Sequence, residues 1–153
     1  MPSSRPSFTV LLVEDELADA LMFQEMLEEV SPDISFHHVV NGQDALRFLE
    51  RADGYAAVPV PHLIVLDLNM PVMNGHDFLQ RAKSIDGLRR IPVLVLSTSN
   101  DPDDIHRSYD GQASGYVVKP STYAEYARIM STIEAYWRGV VRLPTVADLS
   151  VRS

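Results

Sequence analysis

A chain of 153 residues, 46% hydrophobic and 22% charged, is long enough for one domain with a sizeable core and too short for two ordinary ones. Its 21 acidic residues against 13 basic ones give a net charge of −8, which repels phosphate backbones and argues against a nucleic-acid partner. There is no cysteine for disulfides or thiolate metal sites, as suits a reducing cytoplasm, and no run approaches a signal peptide's h-region or the roughly 18 apolar residues of a membrane span.

Residues 1–7, MPSSRPS, hold two Pro and three Ser and read as a flexible lead-in. TVLLV (9–13) is continuously apolar and β-branched, the pattern of a strand covered on both faces, and a helical spacing of apolar residues follows over 16–30 until the Pro32 region stops it. ISFHHVV (34–40) predicts a second strand and 42–52 a shorter helix; the two Pro of 53–62 mark a loop. LIVLD (63–67), PVLVLS (92–97) and GYVV (115–118) predict three more strands, with helices over 76–85, 102–112 and 122–141. Pro144 bars further helix, and 142–153 reads as a tail with no output domain. Five strands alternating with five helices through short connections predict an α/β domain over 8–141, a parallel sheet with helices on both faces.

In such a sheet, ligands bind beyond the carboxyl ends of the strands. Those ends deliver Glu14 and Asp15 after the first strand, Asp67 at the third, Ser97 at the fourth and Lys119 after the fifth. Carboxylates held together repel by about 1–4 kcal/mol per close pair and require a compensating cation. Lys119 offers one charge. Mg²⁺, which accepts one or two carboxylates and keeps several waters, offers two more, and an open position on it suits a phosphoryl oxygen. A carboxylate so placed is a candidate nucleophile, and Asp67, on the central strand, is the best positioned.

The paired acids of VEDE (13–16), the Asp in LDLNMPVMNG (66–75), the Ser in LVLSTS (94–99) and the Lys-Pro of GYVVKP (115–120) together resemble the signature of a two-component response regulator receiver domain. The resemblance covers about residues 8–141. It implies a doubly wound (βα)5 flavodoxin-like fold with strand order 2-1-3-4-5, in which Asp67 is the phosphoacceptor. Mg²⁺, for which Mn²⁺ or Ca²⁺ could substitute, is then held by Asp15, Asp67, the Asn69 backbone carbonyl and Glu14, directly or through water. Lys119 and Ser97 become the phosphate contacts, Ser97 and Tyr116 the switch pair, and Pro120 the proline of a cis peptide bond.

The implied partner is a sensor histidine kinase, and output then passes through protein contacts or onward phosphotransfer. The long loop before the third strand and WRGVVRLP (137–144) are similar to single-domain regulators paired with bacterial phytochrome kinases. An aromatic stripe on the last helix, including Tyr123, Tyr126 and Trp137, is mostly core by its spacing and also a candidate homodimer face. Two rivals are a docking-only pseudo-receiver and an aspartyl-phosphate phosphohydrolase. The second needs a general acid two residues after its nucleophile, where this chain has Asn69. The five histidines show no metal-ligand spacing, and Gly75 reads as a turn marker.

Overall fold

The structure, a computed structural model, describes residues 7–144; most of the expected lead-in and tail therefore lies outside the described residues. Strand β1 (Thr9–Val13) is followed by α1 (Leu17–Val30), β2 (Ser35–Val39), α2 (Gly42–Glu50) and β3 (Leu63–Leu66). Then come α3 (Gly75–Ser84), β4 (Val93–Ser97), α4 (Pro102–Asp110), β5 (Gly115–Val118) and α5 (Tyr123–Gly139). The strands form one parallel sheet in the order β2-β1-β3-β4-β5, the flavodoxin-like arrangement expected. The three central strands are buried along their whole length, whereas β2 and β5, at the edges, are mostly half-exposed.

The strand alternation splits the core into two layers. Leu11, Val13, Ile64, Leu66, Val93 and Val95 meet α2 and α3 on one face. Val10, Leu12, Leu63, Val65, Leu94 and Leu96 meet α1 and α5 on the other. Helix α4 packs against α3 and β5.

Side-chain caps fix the starts of four helices: Asn41 for α2, Asn74 for α3, Asp101 for α4 and Thr122 for α5 each accept a backbone N–H of the first turn. Helix α1 lacks such a cap. The acids ahead of it face the functional edge of the sheet instead.

Three expectations change. Tyr126 is 3% exposed and belongs to the core, and burial pushes its phenol up to about 12. Tyr126 packs toward the sheet while Tyr123, nearer the start of the helix, stays outside, so Tyr126 cannot be part of a contact face; Trp137 is partly buried against the same core. The described residues contain no cis peptide bond, so the Lys119–Pro120 bond is trans, the intrinsically lower isomer of an X-Pro bond by about 0.5–1 kcal/mol.

The predicted continuation of α5 to residue 141 stops at Gly139, beside an anchor. Arg138 makes a fork of 2.8 and 2.7 Å to Asp33 and a 2.6 Å bond to Ser31, tying the end of α5 to the α1–β2 connection. The guanidinium holds the Asp33 carboxyl down at about 2.

At the amino end of the sheet, His62 has a structural task. Its Nδ1 accepts the Thr9 N–H at 3.0 Å, its own N–H donates to the Thr9 carbonyl at 2.8 Å, and its ring stacks on Phe8. Burial lowers the pKa of this imidazole below its ordinary 6.5. A base with a depressed folded pKa contributes fully above its unfolded value and loses that contribution as pH falls through the folded one. The stability gap between wild type and His62→Phe, measured by urea unfolding, is therefore expected to be largest above pH 7 and to shrink steadily as pH falls from 6.5 toward 5.

Candidate functional site

Hydrogen bonds carried past the strand ends hold the site. Asp67 N–H donates to the Val13 carbonyl, Glu14 N–H to the Val39 carbonyl and Lys119 N–H to the Ser97 carbonyl, at 3.0, 3.0 and 2.7 Å. From β2, His38 Nε2–H donates to the Glu14 carbonyl at 2.7 Å, so the acidic turn is clamped from both sides of its peptide. Nothing in the sequence pattern marks His38 for that task.

Glu14, Asp15 and Asp67 each present an oxygen within 4.8 Å of the others'. Asp15 is exposed, while Glu14 and Asp67 are buried. Burial raises both buried carboxyls, Glu14 to about 7 in spite of its hydrogen bond from Lys119. The Lys119 charge and a backbone N–H from Asn69 work in the other direction on Asp67. Lys119 Nζ, with its side chain 8% exposed, donates to Glu14 Oε1 at 2.6 Å and to Asp19 Oδ2 at 2.9 Å. Burial opposes its charge, but those bonds more than offset the penalty and raise its pKa. The edge thus gathers four carboxylates and one ammonium, which bonds two of them, an imbalance that suits a hard divalent cation with oxygen ligands. Asp19 is a member of the site that no motif announced.

Ser97 is fully buried, and its hydroxyl accepts the Ser99 N–H at 3.2 Å. Ser99 is the hub of the β4–α4 loop. Its carbonyl accepts the Tyr116 hydroxyl at 2.8 Å, and its own hydroxyl donates to Asp104 Oδ2 at 2.6 Å, with His76 on the other Asp104 oxygen at 3.2 Å. The Ser99 and His76 hydrogen bonds hold the Asp104 carboxyl below its ordinary range. The two residues expected to act as a switch, Ser97 and Tyr116, are therefore joined through Ser99, and the chain continues to the start of α3.

The β3–α3 loop has its own constraints. Gly75 is more than a turn marker: a Cβ there would lie 2.6 Å from Leu68 Cα and 2.7 Å from the Asp67 carbonyl oxygen, so only glycine lets α3 begin this close to Asp67. Its N–H donates to the Leu68 carbonyl at 2.9 Å, while Asn74 Oδ1 accepts from Asp77 N–H at 2.9 Å. Val72 has φ +68° and is 77% exposed. A β-branched residue in that left-handed conformation is strained, and the strain sits on the rim beside Asp67. Asn69 is exposed at the same rim.

Residues 10–131 match the family described as the response regulator receiver domain, and the chain belongs to that family of signalling proteins. It is 36% identical over 141 residues to the response regulator Rcp1 of Synechocystis, covering 92% of this chain and 96% of Rcp1. A crystal structure of the phosphorylated cyanobacterial phytochrome response regulator RcpA superposes with a TM-score of 0.87 at 36% identity, over 92% of this chain and all of that one. The Mn²⁺-bound form of Rcp1 superposes with a TM-score of 0.80 at 35% identity, again over 92% of this chain and all of that one.

Lys119 neutralises the buried Glu14, so its removal leaves an uncompensated acid in the interior. In EDTA, Lys119→Met is expected to lose about 2–3 kcal/mol of unfolding free energy, and adding Glu14→Gln should recover more than half of it in a urea-denaturation double-mutant cycle.

Proposed function

We propose that this chain is a phosphoacceptor in a two-component pathway, taking a phosphoryl group from the phosphohistidine of a sensor kinase onto Asp67. The observation that carries this reading is the buried Asp67 carboxylate at the end of the central strand, set against Glu14 and Asp15 with Lys119 alongside. An Asp67 oxygen forms the new bond to phosphorus as the phosphorus–nitrogen bond of the donor breaks, and the departing imidazole takes a proton from solvent. Asp15, Asp67, Glu14 and the Asn69 carbonyl would hold Mg²⁺, which would neutralise charge on the transferring group; the Mn²⁺-bound Rcp1 supports a divalent cation in a receiver of this kind, and Ca²⁺ is a further substitute.

Lys119 supplies the fixed positive charge, and the Ser97 hydroxyl supplies a neutral donor. Ser97 now accepts from Ser99, so turning its proton toward a phosphoryl oxygen changes the loop that holds Tyr116. That coupling is our reading of how the site alters the receiver's surface.

The likeness to the phytochrome response regulator RcpA supports a bacterial phytochrome kinase as the donor, hence a light-driven signal in the cytoplasm. RcpA and Rcp1 are both matched over nearly their whole lengths, which favours output through the receiver's own surface. We read the chain as a signalling partner rather than a turnover enzyme. Asn69, where a phosphohydrolase needs its general acid, disfavours hydrolysis of external phosphate esters.

Incubation with acetyl phosphate and Mg²⁺ is expected to add one phosphoryl mass to wild type, and none to Asp67→Asn or in EDTA; an equal adduct on Asp67→Asn would overturn the assignment. We also propose a homodimer through α5. Tyr123 and Tyr136 on α5 and Val140 just after it are each about half exposed or more, and Trp137 packs edge-on against Tyr136. Size-exclusion chromatography with light scattering should show mass rising toward the dimer at high micromolar concentration, and Tyr136→Glu should hold the protein monomeric.

A further inference from the structure

Asp19 belongs to no motif, yet it takes one of the three N–H donors of the only ammonium at the acidic edge among the described residues. Lys119 is nearly enclosed, and the partners it faces are Glu14 and Asp19, not Asp67. The two partners differ. Glu14 has 4% of its side chain exposed and cannot release the ammonium without stranding a buried charge, whereas Asp19, at 36%, sits at the water boundary and can. Asp19 lies in the first turn of α1, four residues after Asp15, so its inward turn adds a fourth carboxylate to an edge already crowded with three. Favourable placement at a helix N-terminus needs no such turn, because an acid there interacts with the dipole from the solvent side as well.

We infer that Asp19 is a positioning residue for Lys119: it holds the ammonium on the α1 side of the resting site and yields it when a phosphoryl group is added at Asp67. The inference rests on the phosphoacceptor reading above. Asp19 and the phosphoryl oxygens pull the same ammonium in different directions, so Asp19 weakens the phosphorylated state relative to the resting one. Neutralising it removes the charge that holds the ammonium toward α1.

The test is the affinity for beryllofluoride, a phosphoryl mimic, in saturating Mg²⁺, alongside the affinity for Mg²⁺ alone. Asp19→Asn is expected to bind beryllofluoride about twofold to fivefold more tightly, the range of a partly exposed ion pair. Its Mg²⁺ affinity should not tighten, since a nearby negative charge has been lost. Asp19→Glu restores the carboxylate and should return to wild-type behaviour. Opposite trends for the two ligands are something a merely structural contribution to folding does not produce. Unchanged or weaker beryllofluoride binding by Asp19→Asn, with wild type binding normally, overturns this inference alone. Wild type that takes no beryllofluoride overturns the phosphoacceptor reading and the inference with it.

Discussion

Two carboxyl groups buried side by side, with one ammonium between them and water, govern the functional end of this molecule. Glu14 and Asp67 pass the cost of their burial to everything nearby: Lys119 is drawn in from β5, and Asp19 turns inward with it. At an effective dielectric between water and a protein surface each close like-charge pair costs about 1–4 kcal/mol, comparable with a large part of a domain's net stability. An edge built this way is incomplete as a protein and complete as a receptor for cations. Its rigidity comes from backbone bonds that continue the sheet beyond the strands, so the charges cannot relax by drifting apart.

Under the proposed phosphoacceptor reading, negative charge arriving at Asp67 would meet two different media. Toward α1 lies the ammonium and its carboxylates, an electrostatic medium. Toward α4 lies a chain of neutral donors, Ser97 to Ser99 and on to Tyr116, with Asp104 and His76 as its far anchor. The first sets how strongly the added group is held. The second sets how far its presence is felt, because a hydroxyl that changes partner alters the next donor in line. In the proposed reading, Tyr116 and α4 would thus answer to a site that neither of them touches.

The alternating elements were legible because continuous apolar strands and helical spacing rarely coincide by accident, and the strand ends then pointed to Glu14, Asp15, Asp67, Ser97 and Lys119. What stayed hidden depends on contacts between distant residues. Asp19 meets Lys119 across 100 positions of chain, and His38 reaches Glu14 from a neighbouring strand. Local pattern holds no record of either. The α5 stripe shows a different limit: it was too broad to say which aromatic faced inward, and Tyr126 proved core while Tyr136 stayed outside. Val72 was illegible for a third reason, since a β-branched residue is the last choice for a left-handed turn.

The Asn74–Gly75 junction has a consequence for chemical ageing. Asparagine followed by glycine deamidates readily when the glycine nitrogen is free to attack the asparagine side-chain carbonyl. Here that nitrogen is committed to Leu68, the carbonyl oxygen to Asp77, and the glycine backbone to the first turn of α3. The same fit that brings a helix against the Asp67 backbone keeps the succinimide geometry out of reach while the domain stays folded. Opening of this junction releases the glycine nitrogen, so isoaspartate at residue 74 would accumulate with the time the stored protein spends open.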